Sequence, residues 1–453
     1  MTTPTPPVGR HLGTLGPVIL SGGRILGGKA CDIRLSGDGR IAAISPAGTD
    51  TTPVRRVPID DCVVLPAFVD LHTHLREPGG EDSETIASGT HAAAAGGFSD
   101  VFAMANSRPV TDTPERVTWI AQTAARTAAA RVHVVGAITT GLAGSALAPL
   151  EAMAAAGARV FSDDGRCVDD AGILRRALDA ARATGTLIAQ HAQCRHLAGD
   201  GQINAGPAAD RTGLPPWPGV AEETIVARDV VLAAESGARL HICHVSTART
   251  ADIVRWAKSN GWPVTAEVAP HHLILDDQLT TGANPLYKVN PPLRSTEDVK
   301  ALRTALQDGT IDAVATDHAP HTSRSKAADW CHAPFGMLGL ETALPVVADV
   351  LTRAGAPDWV RIAQVMSHQP ARIGGIDTLA GRPLAAGEPA TFTLVDPAAH
   401  WQVDPLDLHS LSRNTPFTSM TFRNRVKATV VDGHVTHDAA RLLPAATTRE
   451  TRP

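Results

Sequence analysis

The segment Asp70-Leu71-His72-Thr73-His74-Leu75-Arg76 places two imidazoles two residues apart at the end of an apolar run. On an extended strand that spacing turns both side chains to one face, which is the geometry of paired metal ligands. Four later segments end in the same kind of group: Phe161-Ser162-Asp163-Asp164-Gly165, Ala189-Gln190-His191, Cys243-His244-Val245-Ser246 and Thr316-Asp317-His318. A single strand-end histidine is usually a hydrogen-bonded core residue, and Asp-Asp-Gly is usually a turn. His72, His74, Asp164, His191, His244 and Asp317 occur together, however, and their joint occurrence points to a metal centre. Imidazole and carboxylate without thiolate suit Zn²⁺, with Mn²⁺ and Co²⁺ as alternatives, at one or two ions per subunit. Two ions about 3.5–4 Å apart share a bridging anion, and Asp164 is the candidate bridge. Bound dications make hydroxide available near neutral pH, so hydrolysis needs no activated serine or cysteine. Asp317 is the candidate general base and acid, taking a proton from the attacking hydroxide and returning it to a leaving nitrogen.

For these groups to meet, the runs that carry them must lie side by side with their ends together. Eight runs rich in Val, Ile and Leu recur: Val63–Leu75, Ser99–Asn106, Val132–Thr139, Arg159–Asp164, Thr186–Gln193, Arg239–Ser246, Pro263–His271 and Ile311–His318. Ala-rich stretches of helical length separate them, the alternation of a parallel α/β fold. Eight such units predict a (β/α)8 TIM-like barrel over 66–380, with the chemistry at the strand C-terminal ends. Residues 1–65 and 381–453 read as short strands and turns, with Asp432-Gly433 as a hairpin signal, and predict one small β-sandwich domain built from both chain ends. The Thr/Pro-rich first dozen residues and the polar tail after His437 are expected to be mobile.

The balance of 41 Lys+Arg against 46 Asp+Glu gives a formal net charge of -5 and no sustained field for nucleic acid. No segment reaches the roughly 18 uninterrupted apolar residues of a membrane span, and the stretch MTTPTPPVGRHLG has no basic region followed by a long apolar run. A cytoplasmic enzyme acting on a small molecule is expected. The six cysteines are scattered and form no C-x-x-C pair, so they are expected to be reduced and packed. Strand alternation is expected to turn Cys243 away from the face of His244.

The motifs PAFVDLHTHLREPGGEDSETIASGTHAAAAGGF, AMANSRPVTD, FSDDG, AQHAQ, HICHVST, TAEVAPHHL, KVNPPLR, DGTIDAVATDHAPHT and PFGMLGLETA resemble class I bacterial dihydroorotases in this order. The resemblance implies reversible hydrolysis of dihydroorotate to N-carbamoyl-L-aspartate, in pyrimidine biosynthesis. It makes His72, His74 and Asp317 ligands of one metal, His191 and His244 ligands of a second, and Asp164 the bridge. Related hydantoinases bridge through a carboxylated lysine, but no lysine falls between Lys29 and Lys258. Arg76, two residues past the H-x-H on the same strand face, should point into the site and, with Asn106 and His321, match the residues that hold the substrate carboxylate. Asn290 matches a ring-contacting asparagine, and Phe335 and Gly336 offer backbone groups to the ring. The segment TSRSKAADWCHAP after His321 is a candidate lid with Trp330 as its apolar tip.

Departures from the family pattern are Ala105 for proline, Ser107 for threonine, and Gln193-Cys194 where an acidic residue often follows the ligand histidine. The last bears on what orients His191, and so on occupancy of the second metal position. The implied partners are the small-molecule substrate, a second copy in a homodimer, and aspartate transcarbamoylase. Two rival readings are an allantoinase-like or hydantoinase-like enzyme and a non-catalytic scaffold for that transcarbamoylase. Arg76 with Asn106 argues against the first, and retention of all six candidate ligands against the second.

Overall fold

A computed structural model describes residues 8–446. Its central feature is an eight-stranded parallel sheet in sequence order: Phe68–Thr73, Phe98–Ala103, Arg131–Gly136, Val160–Phe161, Leu187–Gln190, Leu240–Ile242, Val264–Val268 and Ala313–Val314. A parallel bridge between Thr73 and His318 joins the last strand to the first, and His74 N donates to His318 O at 2.9 Å. The sheet thus closes on itself as the strand-helix alternation requires.

Inside the barrel, Val69, Leu71, Phe102, Val135, Val160, Leu187, Ala189 and Ala313 pack with Ala371, Ile373 and Ile376 from beyond the last barrel strand. Those later residues lie at the strand N-terminal end, where Arg239 Nη2 reaches Arg372 O at 3.3 Å. The opposite end of the barrel is therefore the one left open for chemistry.

The outer helices follow from local sequence. Ala171–Thr184 starts where the Asp170 carboxylate accepts from Ile173 N at 2.8 Å and stops at Gly185, whose φ of 69° suits a residue without Cβ. Its buried face is Ile173, Leu174, Ala177, Leu178 and Ala181, the 3.6-residue repeat that packs a helix on a sheet. Replacing Leu178 by Ala would cost about 2–5 kcal/mol of stability.

The second sheet has ten strands and takes them from both chain ends. Phe392–Gln402 pairs antiparallel with Val63–Pro66 and with Thr421–Val431, so the two ends meet at adjacent strands. Leu20, Ile33, Val57, Val64, Phe392, Leu394 and Val430 share its core. The run read as Val63–Leu75 is in fact two strands, because Val63–Pro66 belongs to this sheet and Phe68–Thr73 to the barrel.

The expected loose tail differs as well. Leu443 is buried, its N and that of Leu442 donate to the Asp438 carboxylate, and Ala445–Ala446 pairs with Gly13–Leu15. Two leucines supply enough apolar surface to dock this stretch; residues 1–7 and 447–453 lie outside the described residues. Among the described residues all six cysteines are free, and no helix is long and apolar enough to cross a membrane.

Candidate metal centre and adjoining cavity

Asp164 follows the fourth barrel strand, and the two aspartates of Asp-Asp-Gly divide the work there. Asp163 turns its Oδ1 to Ile138 N and Thr139 N at 2.8 and 2.9 Å and so fixes the turn. Asp164 faces the other way, into the barrel mouth. Its Oδ1 lies 3.1 Å from His72 Nε2, 3.2 Å from His191 Nδ1 and 3.6 Å from His244 Nε2, and its Oδ2 lies 3.4 Å from His74 Nε2. Asp317 Oδ1 lies 3.2 Å from His74 Nε2 and 3.6 Å from His72 Nε2. His72, His74 and Asp317 present ligand atoms within 4.8 Å of one another, as do His72, Asp164 and His244. The structure thus gathers the four histidines around Asp164 and brings Asp317 against two of them.

The far side of each ring shows which nitrogen is free. His72 Nδ1 meets Glu267 Oε1 at 3.0 Å, His74 Nδ1 meets Asn106 Oδ1 at 2.9 Å, and His191 Nε2 meets Gln193 Oε1 at 2.9 Å. Each contact engages the outer nitrogen, which leaves His72 Nε2, His74 Nε2 and His191 Nδ1 aimed at Asp164, where either a proton or a metal ion can occupy them. Lone pairs beside a carboxylate oxygen repel unless a cation or proton sits between them. His72 Nε2 is fully buried and has no hydrogen-bond partner. The donor set therefore fits a divalent metal.

Electrostatics agree with that geometry. Burial alone would raise the Asp164 pKa, but His72 and the hydrogen bonds of His191 and His244 hold it well below the usual carboxylate range. Asp317 is likewise buried and yet lowered, through His74 and His72. Burial opposes charge on His72, but Asp164 overrides it and lifts that histidine well above its ordinary value. The cluster is thus built to attract positive charge.

A cavity of about 340 Å³ opens above this cluster. His74, Arg76, Asn106, Asp164, His191, Asn290, Asp317, His321, Phe335 and Gly336 all line it; His72 and His244 do not, and contact Asp164 instead. Arg76 Nε donates to Pro320 O at 3.1 Å, which fixes the guanidinium plane, and Nη2 lies 3.3 Å from His321 Nε2. Burial pushes Arg76 down to about 10, still charged at neutral pH. Asn290 Nδ2 donates to Gln193 Oε1 at 3.0 Å, while its buried Oδ1 has no partner. Gly336 has a φ of 134°, and a Cβ there would come within 2.7 Å of Ala319 Cβ and 2.9 Å of His321 Nε2. Only glycine lets that backbone lie against the cavity wall.

Several expectations need correction. Arg76 does not continue a strand: the strand ends at Thr73, and Arg76 reaches the cavity through a left-handed backbone, φ 58°. His244 and Asp317 share that feature, with φ of 30° and 47°. Such conformations cost roughly 1–3 kcal/mol each and occur where packing imposes them. The same break in strand geometry undoes the alternation expected for Cys243, whose sulfur lies within 4.8 Å of ligand atoms of His72 and Glu267. Burial raises its thiol to about 12, so it stays protonated.

Trp330, the apolar tip of the candidate lid, is folded inward. It is buried against Ile203, Ala208 and Ala209, and its Nε1 donates to Gln202 O at 3.2 Å. Lys288 Nζ and Lys326 Nζ donate to Ala333 O at 2.7 Å and Gly336 O at 2.9 Å, tying the loop down through its own carbonyls.

Sequence reasoning missed Glu267. Its Oε2 takes His241 Nε2 at 3.0 Å and its Oε1 braces His72. The signal was present in TAEVAPHHL, where an acid sits inside an apolar barrel strand. Gln193 answers the departure noted at that position: its carbonyl oxygen orients His191 as a carboxylate would, and also holds Asn290.

The family model described as "Dihydro-orotase-like" matches residues 61–250. A dihydroorotase of Streptomyces coelicolor is 50% identical, the match covering 92% of this chain and 99% of that protein. One of Leifsonia xyli subsp. xyli is 49% identical over 92% of this chain and 95% of its own. Among solved structures, the L-hydantoinase (dihydropyrimidinase) from Arthrobacter aurescens superposes with a TM-score of 0.82 at 26% identity, covering 95% of this chain and 98% of that one.

Proposed function

Because the chain belongs to the dihydroorotase family, we propose that it interconverts dihydroorotate and N-carbamoyl-L-aspartate in the cavity above Asp164. The observation that carries this reading is the pairing of two neighbouring sets of groups. Asp164 is encircled by His72, His74, His191 and His244, and Arg76, Asn106 and His321 stand on the wall of the same cavity.

His72, His74, His191, His244, Asp164 and Asp317 would hold divalent metal, with Zn²⁺ as the first choice and Mn²⁺ or Co²⁺ as alternatives. When bound, such ions ionise water near neutral pH and polarise an amide carbonyl. Asp164 lies at the centre of the ligand set and would serve as the bridge. Asp317 lines the cavity and stays ionised, so it can accept a proton from attacking water and deliver it to the ring nitrogen that leaves. Arg76 remains charged and rigidly oriented, suited to clamp the substrate carboxylate with two parallel hydrogen bonds. Asn106 and His321 complete that end. The unpartnered Oδ1 of Asn290 accepts a ring N–H, and backbone groups of Phe335 and Gly336 border the ring.

The natural experiment follows dihydroorotate by its ultraviolet absorbance, with metal content measured before and after chelation and with hydantoin and allantoin as controls. Metal-dependent turnover of dihydroorotate alone supports the reading. Preference for hydantoin or allantoin would replace it with the related cyclic-amide chemistry. No turnover by fully metallated protein, with or without aspartate transcarbamoylase, would make the chain a scaffold. The reading extends to a cytoplasmic enzyme of pyrimidine synthesis, as a homodimer or bound to that transcarbamoylase, and size-exclusion chromatography with and without the partner tests the assembly.

A further inference from the structure

A second group of histidines lies away from the cavity, where the barrel meets the ten-stranded sheet. His91 comes from the helix Ile86–Ala95, His409 follows the turn Pro405–Asp407, and His437 lies on the strand His434–Asp438. Each offers one ring nitrogen, and the three atoms lie within 4.8 Å of one another. His409 stands between the other two, edge to face with both, at ring-centroid distances of 4.7 and 5.3 Å.

Three crowded rings could be mere packing, but Glu341 makes a specific brace. Its Oε1 accepts from His409 N at 2.7 Å, and its Oε2 lies 2.8 Å from His409 Nδ1. One carboxylate thus fixes both the backbone and the ring orientation of His409 and raises its pKa, so that a metal ion at Nε2 would displace a proton there. That is how metal-bound histidines are usually held. Burial pushes His437 down to about 3 and lowers His91 as well, so both rings favour the neutral form, which has one nitrogen lone pair. Arg425, whose guanidinium lies 4.8 Å over the Trp401 ring, lines with His409 and His437 a small cavity of about 50 Å³, and Arg10, Arg413 and Arg425 are the cations that act on the three rings.

We propose that His91, His409 and His437 form a peripheral metal site, separate from the catalytic cluster, that takes a first-row dication such as Zn²⁺, Ni²⁺ or Cu²⁺. Three imidazoles with water in the fourth position suit that class of ion and reject Ca²⁺ and Mg²⁺, which require oxygen ligands. The ion ties the first barrel helix, the connecting loop and the ten-stranded sheet at one point.

The test uses the full-length protein with its catalytic centre first saturated, then titrated with Zn²⁺ by calorimetry and assayed for bound metal. Wild type should bind one equivalent more than His91→Ala, an exposed position on a helix that alanine supports. Glu341→Gln should keep the extra equivalent but weaken it by about 10-fold or more. Turnover of dihydroorotate should be the same in all three proteins. Equal stoichiometry and equal affinity in wild type and His91→Ala would overturn the site.

Discussion

Two buried clusters of charge occupy this barrel, and they are finished differently. Near the strand N-terminal ends, Arg131 is fully buried and forks onto Asp100 at 2.9 and 2.8 Å. Its remaining Nη1 donates to Asp432 at 2.7 Å, and His133 Nε2 completes Asp100 at 2.8 Å. Every charge there meets an opposite charge. At the mouth, Asp164 and Asp317 are ringed by histidines; the outer nitrogens of His72, His74 and His191 are engaged and their inner nitrogens converge on the carboxylates. A closed cluster holds structure together; one left short of a cation is a binding site. The difference lies in whether the partners are donors or lone pairs, not in depth of burial.

The comparison can be broken from the mouth first. Asp164→Ala should lower turnover by roughly 10³-fold or more and release metal, while leaving chelator-treated protein as stable as wild type. Turnover and metal content near normal would remove Asp164 from the centre. At the other end, Arg131→Leu should leave activity per folded molecule unchanged but destabilise the fold by about 3–5 kcal/mol, because Asp100 is left buried and short of charge. Urea unfolding measures this, and a loss under about 1 kcal/mol would show the cluster to be slack.

Glu267→Gln sharpens the contrast at an intermediate scale. It keeps the shape but removes the charge that fixes the His72 tautomer, so metal affinity should fall by about 10–100-fold at unchanged stability. Unaltered affinity by competition with a chelator would mean that Glu267 serves His241 alone.

The smallest effect belongs to mild acid. Asp100 is held below its ordinary carboxylate range in the fold: burial opposes this, but Arg131 and His133 override it. Its contribution to stability is therefore complete above the unfolded value of about 3.9 and is lost as pH falls below it. Between pH 5 and 3.5, roughly the onset of that loss, wild type should lose unfolding free energy faster than Asp100→Asn. Parallel pH profiles would contradict the assignment.

What the sequence determined by itself was the set of groups at the ends of the barrel strands. Ligand type, the two-residue spacing of His72 and His74, and the strand-helix rhythm are local properties, and local periodicity places strand ends together once a barrel closes. Asn106 and Asn290 were legible mainly through resemblance, since each alone reads as an ordinary turn or loop residue, whereas the spacing of Arg76 from the H-x-H already pointed it into the site. Tertiary structure decided which nitrogen of each ring is free, because Glu267, Asn106 and Gln193 approach from other segments of the chain. It also decided that Trp330 anchors its loop and that His91, His409 and His437 meet at all. Hydrogen-bond partners and left-handed turns at Arg76, His244 and Asp317 are set by packing between distant segments, which no window of local sequence contains.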